Sequence, residues 1–214
     1  MEKKITVLLD GDVTPTDRLI KKLASSYVIA ADGGIRHAQK LGLVPNLWVG
    51  DFDSANNDDL HAYDHIEKRY HARDKAKSDG ELALEEALAL RPDEIYICGA
   101  SGGNRFDHAL INVALIHRIA LQNPEIRFEI CDGTQIILPI LPNLPLILDV
   151  AKGTIFSIFA FSDLKNLNVS NVKWPLSNAN VNFGSTLTLS NETIESAVIH
   201  LGDGRAIAIV QDDA

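Results

Sequence analysis

Up to residue 132 the chain alternates two hydrophobic periods. Short β-branched runs, ITVLLD (5–10), YVIAAD (27–32), LWVGD (47–51), EIYICGA (94–100) and IRFEICD (126–132), predict buried strands. Between them TPTDRLIKKLASS, GGIRHAQKLGL, SDGELALEEALAL and RFDHALINVALIHRIAL repeat apolar positions at three and four residues, the period of a helix. Strand and helix in alternation predict a parallel sheet with helices on its faces. Beyond that point the helical period stops. TIFSIFAF, STLTLS, SAVIHL and RAIAIV follow one another, punctuated by Asn and Gly, and predict an all-β sandwich or small barrel. The predicted fold class is therefore α/β: an N-terminal parallel-sheet α/β/α domain over 1–135 and a C-terminal all-β sandwich over 136–214.

Length and charge narrow the picture. The 214 residues are 46% hydrophobic and 23% charged, which argues for an ordinary globular protein and against disorder. The stretch IILPILPNLPLIL is broken by Pro and Asn, so no run reaches the ~20 residues of a spanning helix. MEKKITVLLDGDV carries too short an uncharged run for an export signal, and the expected location is cytoplasmic. The formal charge of −9 provides no basic footprint for nucleic acid. Cys98 and Cys131 each end a predicted strand and read as small buried hydrophobes.

The acids fall where a parallel sheet does its chemistry, outside the carboxyl ends of the strands. Asp32 ends YVIAAD and precedes Gly33; Asp51 ends LWVGD, with Asp53 two residues on. The loop GASGGNR, containing Gly102, Gly103 and Arg105, leads into Asp107 and His108 at a helix start. Each Asp alone also suits a turn or an N-cap. Gathered on one rim, they would repel one another unless a divalent cation such as Mg²⁺ lay between them and a phosphate. Glycines there let backbone N–H groups approach phosphate oxygens. Ser78 and Glu81 have capping-box spacing, which places Asp79 in a first helical turn. Arg73, Lys75 and Lys77 before them read either as solvated loop charge or as a phosphate clamp. Asp10 and Asp12, in VLLDGDVT, also match the D-x-D-x-T of haloacid-dehalogenase-like phosphatases, with Asp10 as nucleophile.

Taken in order, AADGG (30–34), VPNLWVGDFDS (44–54), KSDGELAL (77–84), GASGGNRFDHALIN (99–112), KWPLSN (173–178) and TLTLSNE (186–192) resemble the thiamine pyrophosphokinase family along nearly the whole chain. The resemblance implies an α/β catalytic domain, a thiamine-binding and dimerisation β-sandwich, and a homodimer with active sites at the subunit interface. It implies transfer of the diphosphate of ATP to the thiamine hydroxyl, giving thiamine diphosphate and AMP with Mg²⁺. Asp51, Asp53 and Asp79 then resemble the metal ligands, and Asp79, Arg105 and Asp107 the catalytic set. Asp32, Gly33, Lys75, Ser78, Gly102, Gly103, Arg105 and His108 resemble the ATP side; Trp174, Ser190, Asn191 and Asp107 resemble the thiamine side. One position departs: Ala76 stands where the family commonly has Asp. The alternatives are a pterin alcohol as acceptor, the phosphatase, and a non-catalytic nucleotide or thiamine sensor.

Overall fold

The computed structural model describes residues 2–52, 61–71 and 77–211. The chain divides into two compact units, Met1–Ile119 with Glu125–Gly133, and Ala120–Pro124 with Thr134–Ala214.

The first unit is a sheet of six parallel strands, β1 (Lys4–Leu8), β2 (Tyr27–Ala31), β3 (Leu47–Gly50), β4 (Glu67–Tyr70), β5 (Glu94–Cys98) and β6 (Arg127–Cys131), in the order β6-β5-β1-β2-β3-β4. Five of the six were predicted from their apolar runs. The sixth, β4, reads EKRY and is exposed at every position, the composition of a sheet edge. Sequence patterning has no apolar signal to find there.

Helix α1 (Asp17–Leu23) starts on Thr16, whose side-chain oxygen accepts the Leu19 N–H at 3.1 Å, and ends on Lys21 and Lys22, which suit the helix dipole. GGIRHAQKLGL forms a 3₁₀ turn (Asp32–Arg36) running into the short α2 (His37–Lys40). Leu19, Leu23, Ile35, Ala38 and Leu41 pack on the sheet face made by Leu8, Ala30, Trp48 and Cys98. Trp48 is fully buried, and its Nε1–H donates to the Asp32 carbonyl at 2.9 Å. Helix α3 (Asp79–Ala89) packs against β1, β2 and β3. A Cβ on its Gly80 would sit 3.2 Å from Leu9, whose alternation with Leu8 assigns α3 to the opposite face. Helix α4 (Phe106–Gln122) neighbours α3 through Asn112. The two cysteines are buried and free, with Sγ atoms 3.8 Å apart.

The second unit is antiparallel. Its strands are β7 (Gln135–Ile140), β8 (Leu146–Leu148), β9 (Ile155–Ala160), β10 (Leu164–Val172), β11 (Leu176–Val181), β12 (Asn191–His200) and β13 (Ala206–Gln211). Strand β12 pairs with β9 at its start and with β8 and β10 along the rest, while β13 lies between β7 and β9. Inward residues of all seven strands meet in one core around Phe156, Leu167, Ala197 and Ile199, as predicted for an all-β region. One predicted run is not a strand. STLTLS (185–190) is a sequence of turns: Leu189 N–H bonds to the Thr186 carbonyl, and Ser190 has φ +55°. Its apolar residues Leu187 and Leu189 are exposed, and Thr188 alone is buried, exchanging hydrogen bonds with Ile158 at 2.9 and 2.7 Å. Among the described residues no helix is long and apolar enough to cross a membrane.

Candidate active site

In this strand order the chain runs outward from β1 to β4, then returns to place β5 on the other side of β1. The point where direction reverses lies between β1 and β5, the position at which open parallel sheets bind ligands. The loops after these two strands are packed backbone to backbone. Gly11 N–H donates to the Gly99 carbonyl at 3.0 Å, and a Cβ on Gly11 would lie 2.4 Å from that oxygen and 2.5 Å from the Gly102 oxygen. Only glycine allows that approach.

Of the predicted site residues of this unit, Gly33, Gly102 and Gly103 pack on the β1 loop, Asp32 and Asp79 adjoin glycines that do, and Asp51 stands beside Asp32. Asp32 follows β2 with φ +43°, and a Cβ on Gly50, at the end of β3, would meet Asp32 Cα at 3.2 Å. Asp51 therefore leaves the sheet beside Asp32. A Cβ on Gly33 would lie 2.4 Å from Asp10 Oδ1. Asp79 opens α3 next to Gly80, which rests on Leu9 with Asn112 Oδ1 3.8 Å from the Cβ position. On the other side of the loop, a Cβ on Gly102 would lie 3.2 Å from Asp12 Cβ, and one on Gly103 3.3 Å from Gly11 Cα. Asp53, Arg73, Lys75 and Ala76 lie outside the described residues.

Local bonds show what several of these side chains do. Ser78 caps α3, accepting the Glu81 N–H at 3.2 Å, but Glu81 does not close the capping box; its carboxylate takes Arg118 at 2.8 Å. Lys77 pairs with Glu85. Arg105 grips Asp107 through two bonds, Nε to Oδ1 at 3.0 Å and Nη2 to Oδ2 at 2.7 Å, both side chains being open to solvent. The guanidinium holds the Asp107 carboxyl down at about 2, so it is ionised across the physiological range. His108, next in sequence, is exposed at the start of α4. Asp10 is salt-bridged to Arg36 at 2.6 Å, and the buried His37 donates from Nε2 to the Gly11 carbonyl at 2.8 Å. Burial pushes the His37 pKa down.

In the second unit Trp174, Ser190 and Asn191 are neighbours. The Asn191 amide binds both backbone groups of Trp174: Oδ1 accepts its N–H at 3.2 Å and Nδ2 donates to its carbonyl at 2.8 Å. The Trp174 ring remains 55% exposed, with Lys173 Nζ 4.9 Å from its centroid. Ser190 N–H donates to Ser157 Oγ at 2.9 Å.

Comparison with known proteins identifies the family. Residues 18–128 match the family model described as thiamin pyrophosphokinase, catalytic domain, and residues 144–205 the model described as thiamin pyrophosphokinase, vitamin B1 binding domain. The chain belongs to the thiamine pyrophosphokinase family. A thiamine pyrophosphokinase from Bacillus subtilis (strain 168) is 33% identical over 171 residues, 78% of each chain. A crystal structure of thiamine pyrophosphokinase from Bacillus subtilis superposes with a TM-score of 0.80 at 28% identity, covering 99% of this chain and 100% of that one. A thiamin pyrophosphokinase family protein from Enterococcus faecalis gives a TM-score of 0.83 at 26% identity, with the same coverage.

Family membership makes the chain a diphosphotransferase of thiamine diphosphate biosynthesis and does not favour the pterin, phosphatase or sensor readings. The D-x-D-x-T match has a local explanation instead. Asp10 is occupied by Arg36, and Gly11 is required by the contact with Gly99 and Gly102. Sequence reasoning overlooked Asp132, which follows β6 as Asp32 follows β2. It is 8% exposed and accepts from Gly99 N–H at 2.6 Å, from Ser101 N–H at 3.1 Å and from the Ser101 hydroxyl. Burial raises its carboxyl pKa against the opposing pull of these donors. Its strand-end position was a signal; its partners were not.

Proposed function

We propose that the carboxyl-end rim of the first unit binds ATP and that thiamine attacks its β-phosphorus in line, giving thiamine diphosphate and AMP. The observation that carries this reading is the convergence of Asp32, Asp51, Asp79 and the Gly99–Arg105 loop around the β1 loop at the reversal point of the sheet. The N-terminal part, 1–135, supplies the catalytic and nucleotide-binding groups, and 136–214 the thiamine-binding and dimerisation surface.

The donor set suits a hard cation. Among the described residues no three His, Cys, Asp or Glu side chains gather as a complete metal cage. Mg²⁺ needs none, since it takes one or two carboxylates and fills its remaining positions with water and phosphate. Asp51 and Asp79, with Asp53, would hold it, and it would neutralise phosphate charge. Backbone N–H groups at Gly33, Gly102 and Gly103 take phosphate oxygens, aided by Ser78, Lys75 and His108. Asp32 lines the nucleotide pocket. Arg105 exchanges part of its grip on Asp107 for a phosphate oxygen, for which its planar fork is suited. Asp107 accepts a hydrogen bond from the thiamine hydroxyl and orients it, so that positioning and charge neutralisation supply most of the rate. In the second unit the Trp174 ring offers a stacking surface, steadied by Asn191, with Ser190 beside it. The active form is a cytoplasmic homodimer.

Purified protein with ATP, Mg²⁺ and thiamine tests this. Thiamine diphosphate, read by fluorescence after oxidation, should appear with one AMP per turnover; ADP in its place eliminates diphosphate transfer. Asp79→Asn should lower kcat by about 100-fold or more, with only the small drop in melting temperature expected from losing a first-turn helix charge. An active Asp79→Asn enzyme would remove that carboxylate from the mechanism.

A further inference from the structure

The segment Gly99–Arg105 joins β5 to α4 at the reversal point and carries Gly102, Gly103 and Arg105. It has to hold a fixed shape in spite of three glycines, two of them in left-handed conformations, Gly99 at φ +76° and Gly103 at φ +103°. Such a segment is entropically expensive to order, so what fixes it matters to any ligand it binds.

We infer that Asp132 is a positioning residue of the nucleotide site, acting through this loop as a brace between the β1 and β5 loops. Three observations support the inference. The carboxylate takes donors from the first turn of the loop, Gly99 N–H, Ser101 N–H and the Ser101 hydroxyl, with both oxygens in use. The backbone of the same residue takes the other loop: its carbonyl accepts Thr14 N–H at 2.9 Å. The next residue closes the joint, since a Cβ on Gly133, at φ +94°, would lie 1.8 Å from the Thr14 oxygen.

The chemistry explains why the residue is an acid. A buried carboxylate is costly to desolvate unless donors surround it. Asparagine is nearly the same size, but it would turn an N–H₂ toward the Gly99 or Ser101 donors. Asp132 thus sits at the same strand-end level as Asp32 and Asp51 yet serves differently, holding the loop through which other groups meet the nucleotide.

The inference rests on the proposed ATP site and is tested on the intact protein with MgATP as the probe. Affinity is measured by calorimetry and KM by turnover, for wild type, Asp132→Asn, Asp132→Glu and Ser101→Ala. Asp132→Asn should weaken MgATP binding and raise the ATP KM by about tenfold or more, the usual loss for a charge-assisted bond. Ser101→Ala should give about a threefold effect, Asp132→Glu should recover part of the loss, and the thiamine KM should move less than about twofold. Wild-type ATP affinity in Asp132→Asn overturns the inference, as do equal losses for ATP and thiamine accompanied by a lower melting temperature. If Asp132→Asn does not fold, Ser101→Ala decides alone: unchanged MgATP affinity there overturns the inference. Wild-type protein that binds MgATP yet forms no thiamine diphosphate sinks the proposed reaction and leaves this inference standing, still readable by calorimetry. Wild-type protein that does not bind MgATP overturns both.

Discussion

In the first unit, the loops after β1, β5 and β6 approach so closely that side chains are excluded: Gly11 meets Gly99 and Gly102, and Gly133 meets Thr14. In the second unit asparagine side chains tie neighbouring strands together where the ladders are irregular. Asn168 Oδ1 accepts Asn178 N–H at 2.9 Å, Asn171 Nδ2 donates to the Ser196 carbonyl at 2.9 Å, and Asn191 clasps Trp174. Asn143, Asn166, Asn171 and Asn178 themselves adopt positive φ, which asparagine tolerates better than most residues. The contrast separates two ways of fixing irregular backbone. Backbone contact brings N–H groups to the surface of a site and forbids substitution. Side-chain clasps hold exposed irregularities within strands and can be removed one bond at a time.

Adding one methyl group to each unit challenges that contrast most strongly. Gly133→Ala combines left-handed strain with a 1.8 Å clash against backbone and should cost about 3–5 kcal/mol of unfolding free energy. Gly153→Ala, at φ +88° with nothing within 4 Å, should cost only about 1–2 kcal/mol. Equal costs in denaturant titration would erase the distinction. Next in size, Asn191→Ala removes the clasp on Trp174 and should cost about 1–2 kcal/mol. It should also raise the thiamine KM several-fold; an unchanged KM would take Trp174 away from thiamine recognition. The smallest effect is one of pH. Burial lowers the folded pKa of His37 below its ordinary 6.5, so its contribution is present above that value and is lost as pH falls through the lowered one. Melting temperature should therefore decline on acidification below about 6.5, and His37→Gln should flatten the decline. A variant with the wild-type slope would assign the acid sensitivity to another group.

What could be read from sequence follows from where each signal resides. The five buried parallel strands announce themselves because both faces are apolar, and β4 is silent because it is an exposed charged edge. Asp32 and Asp51 stand out as acids at the ends of apolar runs. STLTLS misleads because its leucines alternate with polar residues as in a strand, yet they are exposed and the threonine between them is buried. Asp132 occupies the same kind of position as Asp32, but its role depends on amides of a loop about thirty residues away in sequence. The Arg105–Asp107 grip was within reach, since the two are close neighbours in the chain. The pairing of Asp10 with Arg36 was not, because it needs β1 and β2 side by side.

The chain has two tryptophans, and each unit holds one. Trp48 is sealed against solvent with its indole N–H satisfied, whereas the indole of Trp174 is half open to water beside an ammonium group. Their emission should consequently differ in colour, blue for the first and red for the second. The protein carries its own two-channel fluorometer: one unlabelled sample, followed at two wavelengths through a denaturation, tells whether the halves come apart together or in turn.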